Sequence, residues 1–212
     1  EAMGRPNHLE QVRKRVKAAE ADSVFIPSDF FDIAEAVKVN TCLNRLVESG
    51  ELHRMMRGVF TKPRYSELLH ANVPPSPDKI AKAIARNYGW TIIPCGDTAL
   101  NMQGISTQVP VVWIYVSDGP YKSYDASGVM LKFKHTDNKN EIIEVSYQTA
   151  LIIQALKALG KDNITKKDIR VLSKRLTDDE KKQMLVESKR ITAWVYEYIK
   201  QICAEDSQKA NF

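Results

Sequence analysis

Residues 22–62 read DSVFIPSDFFDIAEAVKVNTCLNRLVESGELHRMMRGVFTK. At their centre, Val39, Leu43, Leu46 and Val47 recur at helical spacing over 38–48, which predicts one buried stripe. The other side carries Lys38, Asn40, Thr41, Asn44, Arg45 and Glu48. Amides and cations of this kind suit base edges and phosphates, because Arg pairs with guanine and Asn with adenine through two hydrogen bonds at once. Gly50 can take the positive φ that closes a helix. Upstream, Pro27-Ser28-Asp29 predicts a capped short helix over 29–34, with Ser28 or Asp29 holding its free amides. A tight link, 35–37, separates it from the second helix. Downstream, 51–55 and 59–61 predict a hairpin around Arg57-Gly58, which sets Arg54 and Arg57 where phosphates would run. Short helix, turn, helix, glycine and basic hairpin together are the order of a winged helix-turn-helix.

Working outward, residues 9–20 predict a first helix with Leu9, Val12, Val16 and Ala19 on one side. Arg13, Lys14, Arg15 and Lys17 surround it, and Arg13 and Lys14 are secondary candidates for phosphate contact. Val24-Phe25-Ile26 reads as a short extended segment under the hairpin. Residues 65–75, with Pro74-Pro75 and then Pro77, read as a linker, because proline and the residue before it disfavour helix. The predicted organisation is therefore α+β: a winged helix-turn-helix over 1–64, the linker, and 76–212. The last part divides into a mixed α/β region (76–147), C-terminal helices (148–204) and a polar tail that frays.

Within 76–147, Ser76-Pro77-Asp78 opens a helix that Gly89 stops. Residues 90–94 predict a buried strand, 98–103 a short helix closed by Gly104, and 110–116 a central strand. Alternation in 129–135 and 141–147 predicts two half-buried strands joined by a hairpin loop at 135–140. The last third is helical. Gly160 ends one helix, Thr165 caps the next, and Thr177 with Glu180 matches a capping box. On the terminal helix Ile191, Trp194, Val195, Tyr198, Ile199 and Ile202 form a broad apolar face, expected to pack on the strands, with a partner-binding face as the alternative.

Of the 212 residues 43% are apolar and 27% charged, ordinary for a globular protein. No apolar run approaches the ~20 residues that span a bilayer, and no signal peptide is visible. Glu1-Ala2 ahead of Met3 reads as vector-derived. Cys42, Cys95 and Cys203 are scattered, which points to a reducing cytoplasm and to neither disulfides nor a metal site. The net charge is +5, of which residues 1–64 carry +2. Bulk charge therefore does not single out the helix-turn-helix, and local placement must carry the case.

No catalytic set emerges, and no cofactor or metal is expected. His8, His53, His70 and His135 are far apart and lack ligand spacing. Cys95, in the turn Pro94-Cys95-Gly96-Asp97, reads as a small core residue and Asp97 as a cap. Asp118, Asp137, Glu141 and Glu144 with Lys132 or Lys134 only loosely imitate a nuclease carboxylate set. The polar Ser106-Thr107-Gln108 answers no obvious structural demand and reads either as a turn or as a candidate partner contact.

Leu43-Asn44-Arg45-Leu46, Gly50, Arg54 and Arg57-Gly58-Val59-Phe60 resemble the winged-helix end of AbiE-type antitoxins. Ile80-Ala81, Ala85-Arg86, the turn at 94–96, Ala99, Gly104, Ser106-Thr107-Gln108-Val109-Pro110 and Asp118-Gly119 follow the same order. The resemblance covers residues 24–133, and the C-terminal helices match only loosely. Gln103 stands where that family would have leucine. The resemblance implies a bacterial repressor of its own toxin–antitoxin or abortive-infection operon. It would oppose a nucleotidyltransferase-like toxin, without needing a stable complex with it. On this reading the protein is not an enzyme, and its partner is double-stranded operator DNA. Asn40, Thr41, Asn44 and Arg45 read bases, Lys38, Arg54 and Arg57 meet phosphates, and Ser28 is a further DNA-binding candidate. Two copies, as a homodimer or loaded side by side, would occupy paired half-sites. The rival readings are a protein-interaction module built on the α/β and helical parts, and a metal-dependent nuclease.

Overall fold

The structure, a computed structural model, describes residues 7–205. The expectations for Glu1-Ala2 and for the tail beyond 205 lie outside the described residues. The fold is α+β. Contacts divide the chain into two units, the first running through Gly89 together with 125–129, the second taking the rest.

The first unit opens with α1 (His8–Ala18), whose start is capped by Asn7 Oδ1 accepting from Glu10 N at 3.1 Å. β1 (Val24–Phe25) leads into a 3-10 turn, Pro27–Phe30, and then α2 (Ala36–Glu48). The turn replaces the α-helix expected over 29–34. Asp29 Oδ2 folds back on Ile26 N at 2.9 Å, and Arg15 clamps Asp29 O and the Asp32 carboxylate, so the chain turns before a second helical turn can form. α2 begins two residues earlier than its apolar spacing suggested. β2 (His53–Met56) and β3 (Val59–Thr61) pair antiparallel, and β1 pairs on the far side of β3. Gly50 and Gly58, at φ 77° and 76°, make the two reversals on either side of β2. Val12, Val16, Phe25, Phe30, Val39, Leu43, Leu46, Leu52 and Phe60 form the core.

The expected linker at 65–75 is instead a small antiparallel hairpin, β4 (Arg64–Ser66) with β5 (Ala71–Val73). It is followed by α3 (Pro77–Tyr88), capped by Ser76 and closed by Gly89 at φ 72°. α3 packs on β1 and β3, burying Ile80, Ala81, Ala83, Ile84 and Ala85. The division between units therefore falls after Gly89 and not at 65–75. The prolines stop helix locally, but the apolar face of α3 binds it to the first unit.

Most of a four-stranded sheet lies in the second unit: β6 (Ile92–Pro94), β7 (Val112–Ser117), β8 (Lys122–Ala126) and β9 (Val129–His135), in the order β6-β7-β9-β8. β6 runs antiparallel to β7, and β9 lies parallel to it, Tyr115 facing Phe133. Phe133 gathers Trp90, Tyr115 and Tyr124 around it. Between β6 and β7 lies α4 (Gly96–Met102), with Gln103 buried at its end. β8 escaped the sequence reading because Lys122-Ser-Tyr-Asp-Ala is an edge strand without apolar alternation. Conversely, 141–147 is not a strand, and 135–140 is not a hairpin loop. α5 (Lys139–Ile142) spans their junction, burying Glu141 against Lys157 and Ile142 against Ile93, Ala150 and Leu151. Ile142 and Val145 pack by a spacing of three, which the eye also reads as loose alternation.

Four helices complete the unit: α6 (Tyr147–Leu159), α7 (Lys166–Ser173), α8 (Asp178–Glu187) and α9 (Ala193–Ala204). Thr165 and Thr177 cap α7 and α8 as the sequence indicated, and Thr165, like Thr177, does so through a full capping box. The apolar face of α9 packs on α6, α7 and α8, with Val195, Ile199 and Ile202 among Ile152, Leu156, Leu172 and Met184. It does not pack on the strands as expected, because the other helices offer it a complete apolar surface.

Glu187 joins α8 to the start of α6. Its Oε2 accepts from Ser146 N at 3.0 Å, Ser146 Oγ at 2.9 Å and Thr149 Oγ1 at 2.7 Å. Burial pushes this carboxyl up, but hydrogen bonds from Thr149 and Ser146 outweigh it and hold the pKa below the ordinary 4.5. A depressed folded pKa adds stability above the ordinary value, and that stability is lost as pH falls through the folded value. Glu187→Gln should therefore flatten the acid limb of the Tm–pH curve. An acid limb identical to that of the parent protein would remove this role.

Candidate nucleic-acid interface

α2 is two-faced. At about 100° per residue, Val39, Cys42, Leu43 and Leu46 fall within roughly a 100° arc and are buried, while Lys38, Asn40, Thr41, Asn44, Arg45 and Glu48 share the opposite arc. All six of these outward side chains are exposed. A face buried beneath neighbouring elements could not meet a groove. This one is open, at Asn44 and Arg45 in particular.

Several of these groups are already oriented. Arg54 Nη2 donates to Asn44 Oδ1, and the Arg54 guanidinium lies 5.4 Å from the Phe60 ring centroid. The hairpin and the helix thus share one polar contact at the surface. Thr41 Oγ1 donates to Val37 O at 3.0 Å, which leaves its lone pairs outward. Lys38 pairs with Glu35 at 2.9 Å, and that ammonium holds the Glu35 carboxyl below its usual range. Among the described residues Asn40, Arg45 and Arg57 have no side-chain partner, and all three are exposed. Ser28 stands exposed in the 3-10 turn, and Asp29 rather than Ser28 binds the backbone there.

The two secondary candidates separate. Arg13 is half-buried and donates from Nε to both Glu51 oxygens, at 3.0 and 3.1 Å, and from Nη1 to Glu10 at 2.7 Å. Glu10 first and Glu51 next raise its pKa further. Arg13 therefore fastens α1 to the start of the β2 segment. Lys14 is exposed and has no partner among the described residues. Two features went unflagged in the sequence. Val37, 76% exposed, stands in the middle of the outward face of α2, where an apolar side chain can touch a thymine methyl. Lys62 Nζ closes the end of α1, donating to Lys17 O at 2.8 Å and Ala19 O at 2.6 Å. Only the tertiary pairing marks that lysine, since nothing local distinguishes it from a solvated one.

In the second unit Ser106, Thr107 and Gln108 form a turn. Gln108 N donates to Ser106 Oγ at 3.2 Å, and Asn101 Nδ2 donates to Gln108 O at 2.9 Å. The turn presents Thr107, Gln108, Val109 and Val111 outward. Three of the four acids that loosely suggested a nuclease are engaged elsewhere, and Glu144 is exposed. Asp118 Oδ1 accepts from Thr91 N at 2.7 Å, Asp137 meets His135 at 2.9 Å, and Glu141 is buried against Lys157. Among the described residues no three His, Cys, Asp or Glu side chains are grouped to hold a metal. Burial pushes the Cys95 thiol up to about 11, so it remains an unreactive thiol at the N-cap of α4, with Asp97 in the first turn. No helix among the described residues is long and apolar enough to cross a membrane.

A profile described as a family of unknown function, DUF6088, matches residues 11–184. The chain belongs to DUF6088. The DUF6088 match runs from α1 into α8 and so takes in the α2 face and the β2–β3 hairpin. No curated protein matches the chain. Among solved structures it is similar to the crystal structure of RV2827C protein from Mycobacterium tuberculosis, with 12% identity and a TM-score of 0.41, over 93% of this chain and 76% of that one.

Proposed function

We propose that the first unit is a winged helix-turn-helix and that the protein is a sequence-specific, DNA-binding transcriptional regulator. The observation that carries this reading is the outward face of α2. Asn40, Thr41, Asn44 and Arg45 stand exposed there, next to a hairpin bearing Arg54 and Arg57. Such a helix can enter a major groove, read bases with the amides and Arg45, and set the hairpin cations on phosphates. No catalysis is part of this function. The resemblance over residues 24–133 extends it to a cytoplasmic antitoxin that represses its own operon and opposes a nucleotidyltransferase-like toxin. Footprinting on DNA upstream of its own gene tests the core of the proposal. Protection of paired half-sites supports it, and no protection at moderate salt overturns it.

Arg57→Ala separates phosphate contact from base reading. It should weaken operator and scrambled duplex by the same factor and make the salt slope shallower by about one. A loss confined to the operator would instead place Arg57 on a base. A second reading is favoured by the exposure of Val109 (68%) and Val111 (88%) beside Thr107 and Gln108, which suits a protein partner. A stoichiometric protein complex retained with no affinity for DNA would select it.

A further inference from the structure

The positive charge of this chain is concentrated away from α2. Residues 161–175, KDNITKKDIRVLSKR, hold six cations and two acids, a net +4 against +5 for the whole chain. One of the acids, Asp168, is engaged in the cap of α7, its Oδ2 accepting from Thr165 N at 2.8 Å and Thr165 Oγ1 at 2.7 Å. At about 100° per residue, Lys166, Arg170, Lys174 and Lys167 fall within roughly a 100° arc, and Ile169, Leu172 and Ser173 turn inward. All four cations are exposed. Arg170 meets Glu205 at 3.3 Å, whereas Lys161, Lys166, Lys167 and Lys174 pair with no carboxylate among the described residues.

Stability does not explain this placement. Lys166 and Lys167 occupy the first turn, where the positive end of the helix repels cations. The neighbouring α8 has the stabilising arrangement, with Asp178, Asp179 and Glu180 in its first turn. Lys166, Arg170 and Lys174 repeat at about 6 Å along the axis, which suits a repeating polyanion better than one small anion. Residues 161–175 contain no aromatic ring on which unpaired bases could stack, so a duplex fits better than a single strand.

We infer that the 166–174 face of α7 binds the phosphate backbone of duplex DNA, adding affinity without sequence preference. This rests on the proposed DNA-binding function for its choice of partner. The test uses the full chain, an upstream duplex and a scrambled duplex of equal composition, with Kd read against KCl concentration. The variant Lys166→Gln/Lys167→Gln/Arg170→Gln/Lys174→Gln should lose about tenfold or more on both duplexes, and its salt slope should become shallower by about 2 to 4. The variant Asn40→Ala/Asn44→Ala/Arg45→Ala should instead lose the preference and keep the slope.

An unchanged slope in the four-fold variant, with cooperative melting retained, overturns the inference while operator preference still supports base reading. Equal affinity of the parent protein for both duplexes, lost in the four-fold variant, supports the inference and removes base reading. Loss of phosphatidylserine-vesicle binding without loss of DNA affinity overturns it in favour of a membrane surface. Should the four-fold variant melt without cooperativity, Lys166→Gln/Lys167→Gln is read by the same slope, since removing those two cations relieves the conflict with the helix dipole.

Discussion

Arg45→Ala should reduce the preference for operator over scrambled DNA by about 1–3 kcal/mol while leaving the fold intact. Arg45 is exposed and has no partner among the described residues, so its removal breaks no internal contact. On the proposed function, what it would lose is a paired hydrogen bond to a base, guanine above all, whose partner atoms would be left unsatisfied in the groove. Competition binding with single-base operator variants measures the effect. The penalty should shrink at the position Arg45 reads and stay constant elsewhere. A loss equal on operator and scrambled duplex would assign Arg45 to phosphate and remove it from base reading. Asn44 is the natural companion in a double-mutant cycle, because Arg54 already holds its carbonyl oxygen.

Leu46→Ala should destabilise the first unit by about 2–5 kcal/mol. Leu46 has no exposed surface and sits in one cluster with Val12, Phe30, Val39 and Phe60. Its backbone carbonyl also takes the amides of Glu51 and Leu52, at 2.9 and 3.0 Å, where the chain leaves α2 for the hairpin. The truncation leaves a cavity where helix, 3-10 turn and sheet meet, and rigid neighbours cannot close it fully. Urea unfolding followed by far-UV circular dichroism gives the cost. DNA affinity should fall only as far as the unfolded fraction rises, which distinguishes support of α2 from contact with DNA. A cost under about 1 kcal/mol would mean that this stripe does not hold α2 in place.

Much of the candidate interface was legible from local pattern. The face of α2, Gly50, the hairpin with Gly58 and the caps at Ser76, Thr165 and Thr177 each depend on residues within about one or two turns of one another. Period and capping chemistry are local, so the chain states them directly. Arg13 shows where that legibility stops. Its patch on α1 looked like one basic surface, but Glu51, 38 residues away, converts this member into a fastening. The short helix at 29–34 shortened to a 3-10 turn for the same kind of reason, since Arg15 on α1 holds its carbonyl and acid.

The amino-acid order alone determined which residues of α2 could face water, that Ser76, Thr165 and Thr177 open helices, and that the net charge is not concentrated in residues 1–64. Periodicity, glycine φ and composition need no distant partner. Only the tertiary structure decided that 65–75 pairs as a hairpin, that α3 joins the first unit and that β8 edges the sheet. It also decided that α9 buries its apolar face among helices. Each of these depends on a surface supplied by residues far along the chain, and an apolar or polar stretch carries no record of which surface will meet it.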